Sequence, residues 1–369
     1  MEKSILAGIF KKVIVRKKAN IDASKLNRIL VLRLGAMGDV VRTTPMLREL
    51  RRMVPNARID YLVSGRVSEV LEGNPNVDRI IRLNGQIYGL SFQTIATFYR
   101  AARRIRKEKY DLMINLEPHY FSQFFTLMCG IPIVIGWDRA GEGFALNNKV
   151  EYDGRSNEIY KALETLKFIG RYRKNADLEI YIGKKEREFA RKELSKARKG
   201  RLIAIAPGAT RNQRASETIR RWPEERYREL SERLARMGYT IVFVGDRHDK
   251  GVIKKVSGNL KKGSYIDTSG KTTIKEMAAI IGMCDLFISH DSGPMHIAAA
   301  VKTPIIALFG STEPRRAAPL TKNSIVIYKR RKNEPLQYDI YGRYINTDMD
   351  YLKRISVEEV ISQVKKPNS

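Results

Sequence analysis

The chain has 369 residues, 43% of them hydrophobic and 30% charged, and its 69 Lys and Arg against 40 Asp and Glu leave a net charge of +29 at neutral pH. An ordinary apolar share at this length predicts two packed domains and excludes collagen, coiled-coil and disulfide scaffolds and a disordered basic tail. Two cysteines, Cys129 and Cys284, exclude a cysteine-built zinc site and read as buried thiols of a reducing compartment. No run reaches the roughly 18 apolar residues of a spanning helix, and the N-terminus lacks an apolar core followed by a small-residue cleavage site. The expectation is therefore a protein that is neither secreted by a standard signal nor integral to a membrane. The charge calls for an anionic partner: nucleic acid, a membrane surface or a phosphorylated substrate.

Taken in chain order, residues 1–27 form a basic N-terminal segment. Ile5, Leu6, Ile9, Phe10, Val13 and Ile14 make a helical stripe backed by Lys3, Lys11, Lys12, Arg16, Lys17 and Lys18, which suits either docking on its own domain or a membrane surface. The run 28–34 reads as a strand that turns at Gly35 and Gly38 into a helix over 40–53. Strands at 58–63, 79–83, 112–116 and 131–135 follow, with a basic helix over 96–109, so 28–183 forms one α/β domain with a parallel sheet. The charged helix 184–200 opens a second domain, 184–352. Here strands at 202–206, 240–244, 286–289 and 304–309 alternate with helices at 224–237, 274–283 and 295–300. An irregular stretch over 330–349 leads to a last helix, 357–364, in a segment 353–369 expected to pack back on the N-terminal domain. Two similar α/β units predict a ligand cleft.

Three clusters carry chemistry. Gly35 to Asp39 follows a strand, but Arg33 stands where a dinucleotide fingerprint needs glycine, and Tyr265 stands where a P-loop ending in Gly270-Lys271-Thr272 needs one. Both nucleotide motifs fail. Asp39 then reads either as a helix cap or as a functional carboxylate. The densest cluster is Ser289-His290-Asp291-Ser292-Gly293-Pro294-Met295-His296, at a strand-to-helix junction whose free N–H groups suit a phosphate or diphosphate; the spacing of its histidines does not suit zinc. In the third, Pro207-Gly208-Ala209-Thr210 precedes Arg211, Arg214, Arg220 and Arg221, guanidinium groups suited to a diphosphate. Asp249, in the turn after the next strand, could accept ribose hydrogen bonds.

These motifs together resemble glycosyltransferase family nine, the lipopolysaccharide heptosyltransferases and their relatives. The resemblance runs from about Arg28 to about Val364 and rests on LRLGAMGDVVRTTPML, APGATRN with RRWPEERY, VGDRHD, and SHDSGPMHIAAAVKTPIIALFGSTEP, in that order. It implies a GT-B architecture of two Rossmann-like domains, acceptor on the first and sugar nucleotide on the second. It further implies inverting, metal-independent transfer of a heptose from an ADP-sugar, with no cofactor, to a lipopolysaccharide-core-type glycolipid. Carried onto this chain, Asp39 matches the general base and Arg220 the basic residue before the tryptophan. Thr210 and Arg211 fall in the phosphate-facing loop, Asp249 matches the ribose-binding acid and Thr272 the adenine segment. Asp291, Ser292, Gly293 and His296 match the diphosphate turn.

Gly38, Arg103 and Arg104 are assigned to the acceptor side, where the basic helix and the N-terminal segment suit a phosphorylated glycolipid at the cytoplasmic face of an inner membrane. The competing functions are a nucleotide-sugar epimerase on the same architecture and a nucleic-acid-binding protein. No nucleic-acid motif, and no aromatic side chains interleaved with the basic clusters, support the latter.

Overall fold

The computed structural model describes residues 16–85, 91–197, 200–208, 221–310, 312–335 and 350–365. The chain divides into two compact units, Met1–Ala176 and Asp177–Ser369. In the first, β1 (Arg28–Leu32) leads through a glycine turn to α1 (Met37–Val41) and α2 (Thr44–Met53). Then come β2 (Arg58–Ser64), β3 (Arg79–Leu83), α3 (Phe92–Lys107), β4 (Leu112–Asn115), α4 (Tyr120–Cys129), β5 (Ile133–Asp138), β6 (Asn148–Glu151) and α5 (Glu158–Glu164). The single helix expected over 40–53 is thus broken at Arg42 and Thr43. Pro45, which has no N–H to donate, occupies the first turn of the new helix instead of its interior.

Six parallel strands form the first sheet in the order β3-β2-β1-β4-β5-β6, with Ile29 opposite Ile59 and Leu112 in register. Its central strands are nearly continuous apolar runs because helices cover both faces. The described part of the N-terminal segment is strapped to the turn before β5 and to β6: Arg16 Nη1 donates to Ile131 O (2.9 Å), and Ala19 and Asn148 exchange hydrogen bonds of 2.9 and 3.0 Å. The amphipathic stripe itself falls mostly in 1–15, outside the described residues.

The second unit opens with α6 (Lys184–Leu194). It continues with β7 (Leu202–Ala206), α7 (Glu224–Arg236), β8 (Thr240–Phe243), α8 (Lys250–Ser257), β9 (Tyr265–Asp267), α9 (Ile274–Gly282), β10 (Leu286–His290), α10 (Gly293–Ala300), β11 (Ile305–Phe309), α11 (Pro314–Ala317), β12 (Ser324–Tyr328) and α12 (Val357–Val364). Its sheet is also all parallel, in the order β12-β11-β10-β7-β8-β9. Both cysteines are free and buried, and burial pushes the Cys284 thiol up to about 12.

The last helix, expected to pack back on the N-terminal domain, is built into the core of the second unit. Val357, Val360 and Ile361 join the second unit's core beside Trp222 and Leu230. Fully buried Trp222 donates Nε1–H to Ile355 O at 3.0 Å, stands edge-on to Tyr227, and so clamps the incoming segment. Gly310 leaves room for that segment, since a Cβ there would lie 2.6 Å from Leu352 Cγ.

Truncating the clamp tests this arrangement. Trp222→Ala should destabilise the second unit by about 3–5 kcal/mol in urea denaturation and release the C-terminal segment to proteolysis. Retained protection of α12 would mean that the segment is held by its own apolar face alone.

Candidate functional site

An all-parallel sheet delivers every strand's C-terminal end to one edge, and a crevice opens there where the strand order reverses. In the first sheet the reversal lies between β1 and β4, and in the second between β7 and β10. Asp39 follows β1, Gly208 follows β7, and the residues 291–296 follow β10. Two of the three chemical clusters therefore sit at a reversal, and the described start of the third, Pro207-Gly208, does as well.

The first cluster is built around Arg33, which continues β1 and is 5% exposed. Its Nη2 lies 3.2 Å from Asp39 Oδ1 and 3.8 Å from Glu158 Oε2. Its Nη1 lies 3.6 Å from Glu117 Oε1 and donates to Leu116 O at 2.7 Å, while its guanidinium carbon stands 5.2 Å from the centre of the Trp137 ring. Arg42, one turn beyond Asp39, reaches Asp39 Oδ1 at 2.5 Å and Glu158 Oε2 at 2.9 Å. The other Asp39 oxygen accepts the Ala36 N–H at 2.9 Å, and a Cβ at position 35 would lie 2.2 Å from it, so glycine is required there. Gly38 is buried inside the same turn.

Burial works against the Asp39 charge, but the two guanidinium groups and the Ala36 N–H outweigh it and hold the carboxyl well below the usual carboxylate range. Asp39 is thus both a cap and an ionised carboxylate, with its side chain 24% exposed. His119 lies beside the cluster, 3.8 Å from Glu117, and burial pushes its imidazole below the usual value despite that neighbour.

At the corresponding edge of the second sheet, Asp249 is folded inward. Its Oδ2 accepts the Asp246 N–H at 2.8 Å, and Cβ atoms at Gly208 and Gly245 would lie 2.1 and 2.7 Å from its oxygens. The carboxylate therefore braces the turns after β7 and β8. Gly270 N donates to Gly245 O (3.0 Å), which joins the turn carrying half-buried Thr272 to the same edge. After β10, Thr312 donates to Asp291 Oδ2 at 2.8 Å and Ser292 Oγ pairs with Ser289 Oγ at 2.7 Å. Gly293 and Pro294 then open α10, and His296 is buried in its first turns. Buried Tyr227 holds the loop by bonding both Nδ1 and the N–H of His290, at 2.9 and 3.1 Å.

The structure thus gathers Asp249, Thr272, Asp291, Ser292, Gly293 and His296 at one edge. Thr210, Arg211 and Arg220 lie outside the described residues. Arg103 and Arg104 are not brought to Asp39: α3 runs back from the edge where β3 ends, which puts Arg103 about 16 Å along the helix from its first turn. Sequence reading missed Arg33, Arg42, Glu117 and Glu158. The available signal was a lone arginine at the end of a buried parallel strand, which demands carboxylate partners. Among the described residues no three His, Cys, Asp or Glu side chains gather so as to hold a metal ion.

Two all-parallel α/β units, each with its candidate loops at a strand-order reversal, make the paired Rossmann-like architecture of the GT-B class. Residues 98–339 match the family model for glycosyltransferase family 9 (heptosyltransferase). The chain is 26% identical over 337 residues to lipopolysaccharide heptosyltransferase 3 of Escherichia coli, covering 89% of this chain and 96% of that one. A glycosyltransferase family 9 crystal structure from Veillonella parvula superposes with a TM-score of 0.76 at 26% identity, covering 94% and 97% of the two chains. The ADP-heptose lipopolysaccharide heptosyltransferase II of E. coli gives 0.72 at 21% identity, covering 91% and 97%. This chain belongs to glycosyltransferase family 9, the heptosyltransferase family.

A carboxyl whose native pKa is depressed contributes stability that is complete above its unfolded value, about 4, and is lost as pH falls towards the native one. The stability advantage of the wild type over Asp39→Asn, read by denaturant titration, should be constant from pH 7 to 5 and shrink below about pH 4. An advantage that grows as pH falls from 7 to 5 would mean that burial, and not the arginines, governs Asp39.

Proposed function

We propose that this enzyme transfers a heptose from ADP-heptose to a hydroxyl of a lipopolysaccharide-core-type glycolipid, with inversion at the anomeric carbon and without a metal or other cofactor. The observation that carries the reading is Asp39: an ionised, partly exposed carboxylate fixed at the strand-order reversal of the first sheet. Relatives that act on lipopolysaccharide and on ADP-heptose supply the substrate classes. The enzyme would work on the cytoplasmic side, where its nucleotide donor is made, with the lipid acceptor at the membrane surface; no helix among the described residues is long and apolar enough to cross a membrane.

In this mechanism the acceptor hydroxyl donates to Asp39 and attacks the anomeric carbon opposite the departing diphosphate. Arg33 and Arg42 make Asp39 a weak base, and that weakness is tolerable because the proton is transferred late. Once the new C–O bond has formed, its oxygen is a protonated ether, far more acidic than any carboxylic acid. The ion pairs keep the carboxylate ionised and aimed until that moment. On the donor side, the N–H groups that open α10 at Gly293 receive the diphosphate with Asp291, Ser292 and His296 around them. Thr210, Arg211 and Arg220 add the charge that neutralises the leaving group, and Asp249 and Thr272 set the turns that receive ribose and adenine.

Calorimetric titration with ADP, UDP and GDP tests the donor, and Asp39→Ala tests the base. ADP should bind selectively without divalent metal, and the variant should lose about 10²–10⁴-fold in turnover while its ADP affinity stays within about twofold. Preference for UDP would overturn the donor, and wild-type turnover in the variant would reduce Asp39 to a cap.

A further inference from the structure

The outer face of α3 is used neither by the fold nor by the strand-end loops. Its inner face, Thr94, Thr97, Phe98, Ala102 and Ile105, is buried, and Phe98 lies 5.0 Å from Phe125 of α4, centre to centre. At 3.6 residues per turn, Phe92, Ile95, Tyr99, Arg103 and Arg106 fall within about 80° of one another on the opposite side. Phe92 is 86% exposed, Tyr99 59% and Ile95 55%; these are the three most exposed large hydrophobic side chains among the described residues. They form one patch on one helix, unlike the scattered apolar residues any surface carries. The second half of the helix carries Arg100, Arg103, Arg104, Arg106 and Lys107, and the whole helix has no carboxylate.

We infer that α3 is the element by which this enzyme docks on an anionic lipid bilayer. Phe92, Ile95 and Tyr99 enter the headgroup layer, and the cations that follow face the lipid phosphates. The inference rests on the glycolipid-acceptor reading and deepens it. Two observations select the occupant. A second copy of this chain would bring identical cationic helices together at a net charge of +29 each, whereas a surface that is apolar within and anionic at its rim complements both halves of α3.

Topology supplies the functional link. Because α3 connects parallel strands β3 and β4, its apolar first turns begin at the sheet edge that carries Asp39. Docking there brings that edge to a membrane-borne acceptor.

The test uses the full chain and vesicles of phosphatidylcholine with and without phosphatidylglycerol. Wild type should sediment with the anionic vesicles. The combined variant Phe92→Ser, Ile95→Ser, Tyr99→Ser should lose at least about tenfold in partitioning with ADP binding unchanged. Independently, Phe92→Trp should be quenched by brominated lipid; the native Trp137 and Trp222 are buried and leave a clean background. Vesicle binding that ignores the three substitutions, or a Trp at position 92 that brominated lipid does not quench, overturns the inference and reduces attachment to net charge. Either result can arise while ADP selectivity and transfer to a delipidated acceptor stand, so failure of the docking element is distinguishable from failure of the functional reading.

Discussion

A guanidinium group taken out of water at the end of β1 constrains the rest of the first unit. Burying Arg33 without compensation is prohibitive, and four separate pieces of chain supply the compensation: Asp39 from the turn into α1, Leu116 O and Glu117 from the end of β4, Glu158 from α5, and the ring of Trp137 from β5. Each partner is held in turn. Glu117 accepts the Leu34 N–H at 3.0 Å, and Glu158 accepts from Tyr152 at 2.5 Å. Strand ends that backbone pairing alone would leave free to splay are thereby locked around one cation. Burial opposes the Arg33 charge, yet Asp39, Glu117 and Glu158 outweigh it, so the group stays protonated.

The first unit pairs another carboxylate, Asp60, with two arginines, and comparing it with Asp39 shows which can act on a ligand. Asp60, at the start of β2, is fully buried and is engaged by Arg58 (3.0 Å), Arg79 (3.1 Å) and the Tyr110 hydroxyl (2.5 Å). It sits at the N-terminal edge of a parallel sheet, where conservation of structure and not ligand binding is the expected use of buried charge. Asp39 lies at the opposite edge and keeps 24% of its side chain in solvent. Ion pairing to arginine alone would nominate both; position at the strand-order reversal and remaining access nominate Asp39.

How much of this was legible in the sequence followed from how cleanly each residue's environment repeats. Strands at the centres of the sheets are buried on both faces and announce themselves as apolar runs, so β1, β2, β4, β7, β8, β10 and β11 were read close to their observed limits. The strands that went unread, β6, β9 and β12, all lie at sheet edges. There one side is open, so β6 alternates buried and exposed residues and β9 is only three residues long. Asp39 and the residues 291–296 were legible because a glycine turn after a strand is a local signal. The partners of Asp39 were not, because Glu117 and Glu158 meet it only through tertiary contact, and Arg33 was noticed merely as the residue that spoils a glycine motif. Destination of the last helix was misread for a similar reason: its amphipathic face specifies burial, while buried Trp222, 133 residues away from Ile355, specifies where.

The excess positive charge acquires a pattern once the paired cations are set aside. Arg28, Arg58 and Arg79 share Glu108 and buried Asp60, Arg51 holds Asp78, and Arg82 holds Glu72; a cation so paired leaves little field, and an exposed pair such as Arg82 with Glu72 contributes little. Helix α3 contributes five cations with no acidic residue of its own, next to the most exposed apolar side chains of the described surface. Charge concentrated beside an apolar patch acts locally, within roughly a Debye length of 8–10 Å, which is the scale of a lipid headgroup layer and not of long-range steering. An enzyme whose acceptor is confined to a surface gains from such a short-ranged contact. On the docking inferred for α3, such a contact would hold the edge of the first sheet that carries Asp39 near that surface.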